Sequence, residues 1–151
     1  MNAIKRFIAR PNHNYDLGLV VLRFGFGLCM ALFHGWGKIS GGPERWEGVG
    51  GSMQNLGIDF FPTFFGFMAG FSEFFCAIFI ILGVFFRPAT ALLGFTMMVA
   101  AIRHLSLPED APNSGFSGAA HAIEYMVLCI GLYFSGPGKY SFIRPDDERG
   151  R

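Results

Sequence analysis

Arg23, His34, Lys38, Glu73, Arg103, His104, His121 and Glu124 are the side chains of this sequence that could do chemistry, and each stands in or beside an apolar run. Imidazoles and carboxylates exchange protons near neutral pH, while Lys and Arg donate to carbonyl groups or hold anions. Lys38 follows His34 by four residues and Glu124 follows His121 by three, one helical turn in each case. Eleven residues separate Arg23 from His34, ~20° around an α-helix, so Arg23, His34 and Lys38 are expected along one stripe. Glu73 falls within ~20° of Gly66 on the helical wheel, and Gly66 with Gly70 makes a GxxxG pair. Small residues mark the face that packs closely on a neighbour, so Glu73 is expected to point into the protein.

The elements that must position these residues follow from composition. The chain has 151 residues, 52% of them hydrophobic and only 15% charged, and 19 are Phe. An average soluble domain carries about 25% charge, and small domains bury the smallest share of their surface. The mean hydropathy is +0.40. Such a chain is neither a soluble enzyme nor a disordered tail, and a net charge of +1 supplies no field for nucleic acid. An integral membrane protein remains. Four stretches suit a hydrocarbon core of ~30 Å: about 17–36, 60–86, 88–107 and 118–134. The expected fold is all-α, a single membrane domain over 1–151 built as a four-helix bundle.

Lys and Arg placement orients it. With the N-terminus inside, the inner segments hold Lys5, Arg6, Arg10, Arg87, Lys139, Arg144, Arg149 and Arg151, and the outer ones only Lys38 and Arg45. Both termini are therefore expected in the cytoplasm. The first span is read as uncleaved, because no A-x-A site closes it. Residues 3–8 read as a short helix on the inner membrane surface. Arg87-Pro88 reads as a tight turn. In the first outer loop, Trp46, Val49, Met53 and Leu56 recur at helical spacing, with Gly57 placed to cap the end. This predicts a short amphipathic helix, either packed on the bundle or serving as a lid over a site.

Ionisable groups within a bilayer are costly, so each needs a partner or a purpose. Glu73 is expected to pair with Arg23 or Arg103, an Arg23–Glu73 pair fixing helix register, and Glu124 with the other arginine or Lys38. His34, Lys38, Arg103, His104, His121 and Glu124 all lie toward the outer ends of their spans and are expected to converge in one polar pocket. Some motifs fail. Gly37-Lys38-Ile39-Ser40 lacks the earlier glycine and the strand of a phosphate loop. Cys29, Cys76 and Cys129 make no C-x-x-C pair and read as small packing residues. A metal or haem on His34, His104, His121, Glu73 and Glu124 is the less favoured reading, since neither H-x-x-x-H nor E-x-x-H occurs within one helix.

The chain resembles the DoxX family. The resemblance rests on Leu22-Arg23, on His34-Gly35-Trp36-Gly37-Lys38, and on Glu73 with the run to Leu82-Gly83. Arg87-Pro88-Ala89, Glu124 and Gly136-Pro137-Gly138-Lys139-Tyr140-Ser141 complete it, over roughly residues 15–142. It implies a four-helix protein of the bacterial inner membrane, labelled an oxidoreductase through likeness to a subunit of thiosulfate:quinone oxidoreductase. On that footing the outer pocket would take a quinone head group, or a small anion such as thiosulfate or sulfite. His34, His121 and Glu124 would then exchange protons, and Lys38, Glu73, Arg103 and His104 would contact the ligand. With no flavin or nucleotide motif, electrons would arrive through a bound molecule or a partner protein. A membrane subunit that docks and stabilises partner proteins is the alternative, and the GxxxG face permits a homodimer.

Overall fold

The computed structural model describes residues 14–143. The surface helix expected at 3–8 and the orienting cations Lys5, Arg6, Arg10, Arg144, Arg149 and Arg151 lie outside the described residues. Within them, every regular element is helical. The elements are α1 (Tyr15–Ile39), α2 (Gly42–Gly50) continued by a 3-10 helix (Gly51–Leu56), α3 (Pro62–Leu82), α4 (Phe86–Ser106) and α5 (Gly115–Ser135). Helices α1, α3, α4 and α5 are long and apolar enough to cross a membrane. The outer surface suits a bilayer and not water: Phe33 and Phe134 are each 79% exposed, and Val21, Phe24, Leu32 and Phe116 are exposed as well. This is a multi-pass, all-α membrane bundle with a short helix in its first loop.

Met30, Cys76, Ala77, Ile80, Leu93, Met97 and Cys129 form the centre of the core, contributed by α1, α3, α4 and α5. All three cysteines are free, Cys76 and Cys129 within that core. Inside a bilayer, helices gain little from burying oil in oil and hold together by close packing. The α1–α3 seam shows how. A β-carbon on Gly35 would stand 2.5 Å from the carbonyl carbon of Glu73, so only glycine lets the helices approach this closely. Further along, Gly66 lies on the backbone of Trp46 in α2, and Gly70 lies beside Ile39. The GxxxG face is thus filled from within the chain.

Two of the spanning helices carry a π-helical turn, Met30–Gly35 in α1 and Ser72–Cys76 in α3. In the first, the Trp36 N–H donates to the Ala31 carbonyl five residues back. One added residue in a turn swings the side chains beyond it by about 100° relative to an unbroken α-helix.

Helix ends obey local chemistry. After Leu56, Gly57 takes φ 75°, with Gly57 N–H bound to Gln54 O at 2.9 Å and Ile58 N–H to Met53 O at 3.2 Å. This is the Schellman cap expected there. Gly83, φ 71°, ends α3 in the same way, its N–H on Ile80 O at 3.3 Å and that of Val84 on Phe79 O at 3.0 Å. The turn between α3 and α4 is therefore at 83–85, not at Arg87-Pro88. Pro88 sits in the first turn of α4, where a proline forfeits no helical hydrogen bond.

Candidate functional site

Lys38, in the last turn of α1, sets its Nζ 2.5 Å from Glu73 Oε1. Gly35 brings the two backbones together one turn earlier, and the π-turn in α1 aims the Trp36–Ile39 turn at α3. Glu73 is 1% exposed, and its second oxygen, Oε2, is buried with no hydrogen-bond partner among the described residues. Burying a carboxylate with half its acceptor capacity unused is costly.

Glu73 and Lys38 line a cavity of about 660 Å³ between α2, α3, α4 and the end of α1. Its walls are apolar, with Val49 and Met53 from the first loop, Phe65 and Met68 from α3, and Leu92 and Phe95 from α4. Arg45, Arg103, His104 and Thr96 also line it; Arg45 and Arg103 are exposed, and neither makes an ion pair among the described residues. Helix α2 forms a wall of this cavity, held by Trp46, whose Nε1 donates to Lys38 O at 2.8 Å and whose ring meets Phe67 edge-on. A volume of this size lies within the range that small-molecule pockets span, about 300–1,000 Å³.

Four of the expected ligand-contacting residues, Lys38, Glu73, Arg103 and His104, thus share one cavity. His34, His121 and Glu124 do not join them. His34 turns to α5, its Nε2 3.1 Å from His121 Nε2, with the Tyr125 ring 4.5 Å from that of His121. Glu124 is exposed, 3.9 Å from His121 Nδ1. The single pocket expected from the sequence is therefore two separate groups. The π-turn that spans His34 and precedes Lys38 separates the stripe, sending His34 to α5 and Lys38 to α3. His104 Nδ1 donates to the Asn113 carbonyl at 2.8 Å, tying α4 to the loop before α5. Among the described residues, no three His, Cys, Asp or Glu side chains gather as a metal-binding group.

The Arg23–Glu73 pair is not made. Arg23 is buried, and its guanidinium donates to the carbonyls of Ile81 at 3.0 Å, Tyr140 at 2.8 Å and Pro137. Ile81 lies eight residues beyond Glu73, ~12 Å along α3, which puts the carboxylate out of reach. Around Arg23, Phe142 N–H donates to Leu82 O at 3.0 Å, Lys139 N–H to Asp16 Oδ1 at 3.0 Å, and Lys139 Nζ lies 3.4 Å from Asp16 Oδ2. Arg23 is a clamp for the segment after α5, at the end of the bundle opposite α2.

Arg45 and Thr96 are cavity residues that sequence pattern did not single out. Arg45 looked like the solvated side of a surface helix. Thr96 is a hydroxyl in an apolar run, and it meets Ser72 Oγ at 2.7 Å across α3 and α4.

A family model, DoxX, matches residues 18–105. The chain belongs to the DoxX family. No curated protein and no solved structure matches it. The DoxX match takes in α1 to α4 and so contains the whole Lys38–Glu73 cavity. His121, Glu124 and the segment held by Arg23 fall beyond it.

Proposed function

We propose that this DoxX-family protein is a membrane oxidoreductase component that binds a quinone in the cavity between α2, α3 and α4. The observation that carries the reading is the cavity's polarity pattern: walls largely of Phe, Met, Leu and Val, with a few polar groups set among them, the half-buried Lys38 on the buried Glu73 and, elsewhere on the lining, Arg45, Arg103, His104 and Thr96. A quinone matches it, with a ring and tail for the apolar walls and two oxygens for the polar groups. Lys38 supports a carbonyl oxygen, and Glu73 stands ready to accept a proton. A thiosulfate- or sulfite-sized anion suits the same chamber less well. It could meet Arg45 and Arg103, but it would leave the apolar wall unused.

Electrons enter or leave through a partner protein or a second bound molecule, since the chain offers no cysteine pair for the purpose. The setting is the bacterial inner membrane, with both termini in the cytoplasm on the Lys and Arg asymmetry. The cavity then opens in the outer half of the bilayer.

The test is binding of decylubiquinone and decylubiquinol to the full chain in lipid nanodiscs. Saturable binding of at least one form is expected, weakened tenfold or more by Met68→Trp, which fills the chamber. Saturable binding of neither form ends the reading.

A further inference from the structure

A neutral quinone leaves one property of the chamber unused. The lining holds three fixed cations, Lys38, Arg45 and Arg103, against one carboxylate, Glu73. Lys38 and Glu73 meet each other, so the excess of positive charge falls on the two arginines. Glu44 and Glu47 flank Arg45 in sequence but do not line the chamber. Helix residues one and two apart do not share a face.

The fold seats Arg45 at this place. Its side chain crosses from α2 to the end of α1, over Gly37 and Gly41. Nη2 of the guanidinium lies 3.6 Å from where a β-carbon on Gly37 would stand, and a β-carbon on Gly41 would collide with the Arg45 stem. The two glycines are four residues apart and leave a bed for that side chain. The Gly37-Lys38-Ile39-Ser40 segment, which fails as a phosphate loop, thus sets a second cation over the residue before Lys38. The apolar wall, for its part, reaches the lipid-facing surface. Phe64 of α3 and Phe95 of α4 both line the chamber and are 57% and 46% exposed.

We infer that the chamber binds an acidic phospholipid from the surrounding bilayer, its headgroup phosphate on Arg45 and Arg103 and one acyl chain against Phe64, Met68 and Phe95. The two halves of such a ligand answer the two halves of the lining. Arginine holds a phosphate through parallel N–H donors, and a basic pocket between membrane helices suits a lipid headgroup. The chain covers the apolar wall that a small inorganic anion leaves bare. A zwitterionic lipid brings the same chain and phosphate, but its own ammonium offsets the attraction of the arginines, so it binds less well. The inference is independent of the quinone reading, because it rests on the charge of the lining and the lipid-facing wall and not on the Lys38–Glu73 pair.

The experiment is native mass spectrometry of the full chain in detergent, offered phosphatidylglycerol or phosphatidylcholine with identical acyl chains. Retention of phosphatidylglycerol is expected to be greater on the order of tenfold, and at least threefold. A ratio below threefold overturns the inference. Arg45→Gln combined with Arg103→Gln should bring the ratio below threefold. Arg87→Gln, an exposed arginine at the other end of α4 and away from the chamber, should leave it within twofold of the unaltered protein. A preference that survives the first change, or falls as far in the second, reflects general surface charge and overturns the inference. Met68→Trp should lower phosphatidylglycerol retention at least threefold, since the chain loses its place. Unchanged retention would put the lipid on the surface alone and overturn the inference as well. No quinone enters these measurements, so the lipid site and the quinone site fail separately.

Discussion

Gly35 of α1 lies directly against the backbone of Glu73 in α3, where a β-carbon would stand 2.5 Å from the Glu73 carbonyl carbon. Both residues belong to π-helical turns, which meet at this point. The contact fixes the depth of Glu73 and places Lys38, one turn beyond Gly35, against its carboxylate. Packing and chemistry are joined here: the residue that admits the neighbouring helix also sets the ion pair that polarises the cavity.

Gly35→Ala should therefore lower stability by about 1–3 kcal/mol, the usual cost of forcing a methyl group into a filled contact. Gly25→Ala is the control, because a β-carbon there meets nothing within 4 Å. It should leave stability unchanged or raise it by up to ~1 kcal/mol through better helix propensity. Thermal unfolding in one detergent compares the two. Equal losses would remove the special role of Gly35.

Lys38→Met leaves Glu73 as an uncompensated charge in the bundle, and removing one member of a buried pair costs about 3–5 kcal/mol. Replacing both, as Lys38→Met with Glu73→Met, should recover most of that loss, since a hydrophobic pair of similar volume is often neutral. Unfolding free energies of the two single variants and the double variant give the coupling. Independent, additive effects would mean that the pair is not an energetic unit.

The spans, the inward face of Glu73, the helix of the first loop and its cap at Gly57 were all legible, because each is written in periodicity or in a residue of special conformation. The division of the polar group was not. His34 and Lys38 are four residues apart and read as neighbours on one face, but a π-turn is a change of hydrogen-bond register that leaves no mark on hydrophobic period. The Arg23–Glu73 expectation failed for a related reason. The helical wheel aligns residues by angle and says nothing of which neighbour lies at the same depth. The 83–85 turn was displaced to Arg87-Pro88 because proline looks like a breaker, although the first turn of a helix accepts it.

Arg23→Gln should loosen the segment after α5. Three carbonyl oxygens, of Ile81, Pro137 and Tyr140, lose their charged donor. Hydrogen bonds to charged groups are worth about 1.5–3 kcal/mol each, and about 1.4 kcal/mol is tenfold in a population. Trypsin cleavage after Lys139 should accelerate at least tenfold. Asp16→Asn, which alters only the partly exposed Asp16–Lys139 pair, should change it far less. Unchanged cleavage in Arg23→Gln would mean that the segment is held by other contacts.

The separation of the two histidines from the cavity can be tested with the same ligands that test the cavity. His34 and His121 meet each other at 3.1 Å and rest on Tyr125, and none of the three lines the chamber that Lys38 and Glu73 polarise. His121→Phe keeps an aromatic ring on Tyr125 while removing the nitrogen that His34 contacts. It should leave the affinities for decylubiquinol and decylubiquinone within twofold of the unaltered protein. Met68→Trp, inside the chamber, should weaken both tenfold or more. The contrast follows from the parting of His34, which meets α5, from Lys38, which meets α3, across the π-turn in α1; a single shared site would be struck by both substitutions. A tenfold loss in His121→Phe would show that the histidine pair and the cavity act as one site after all.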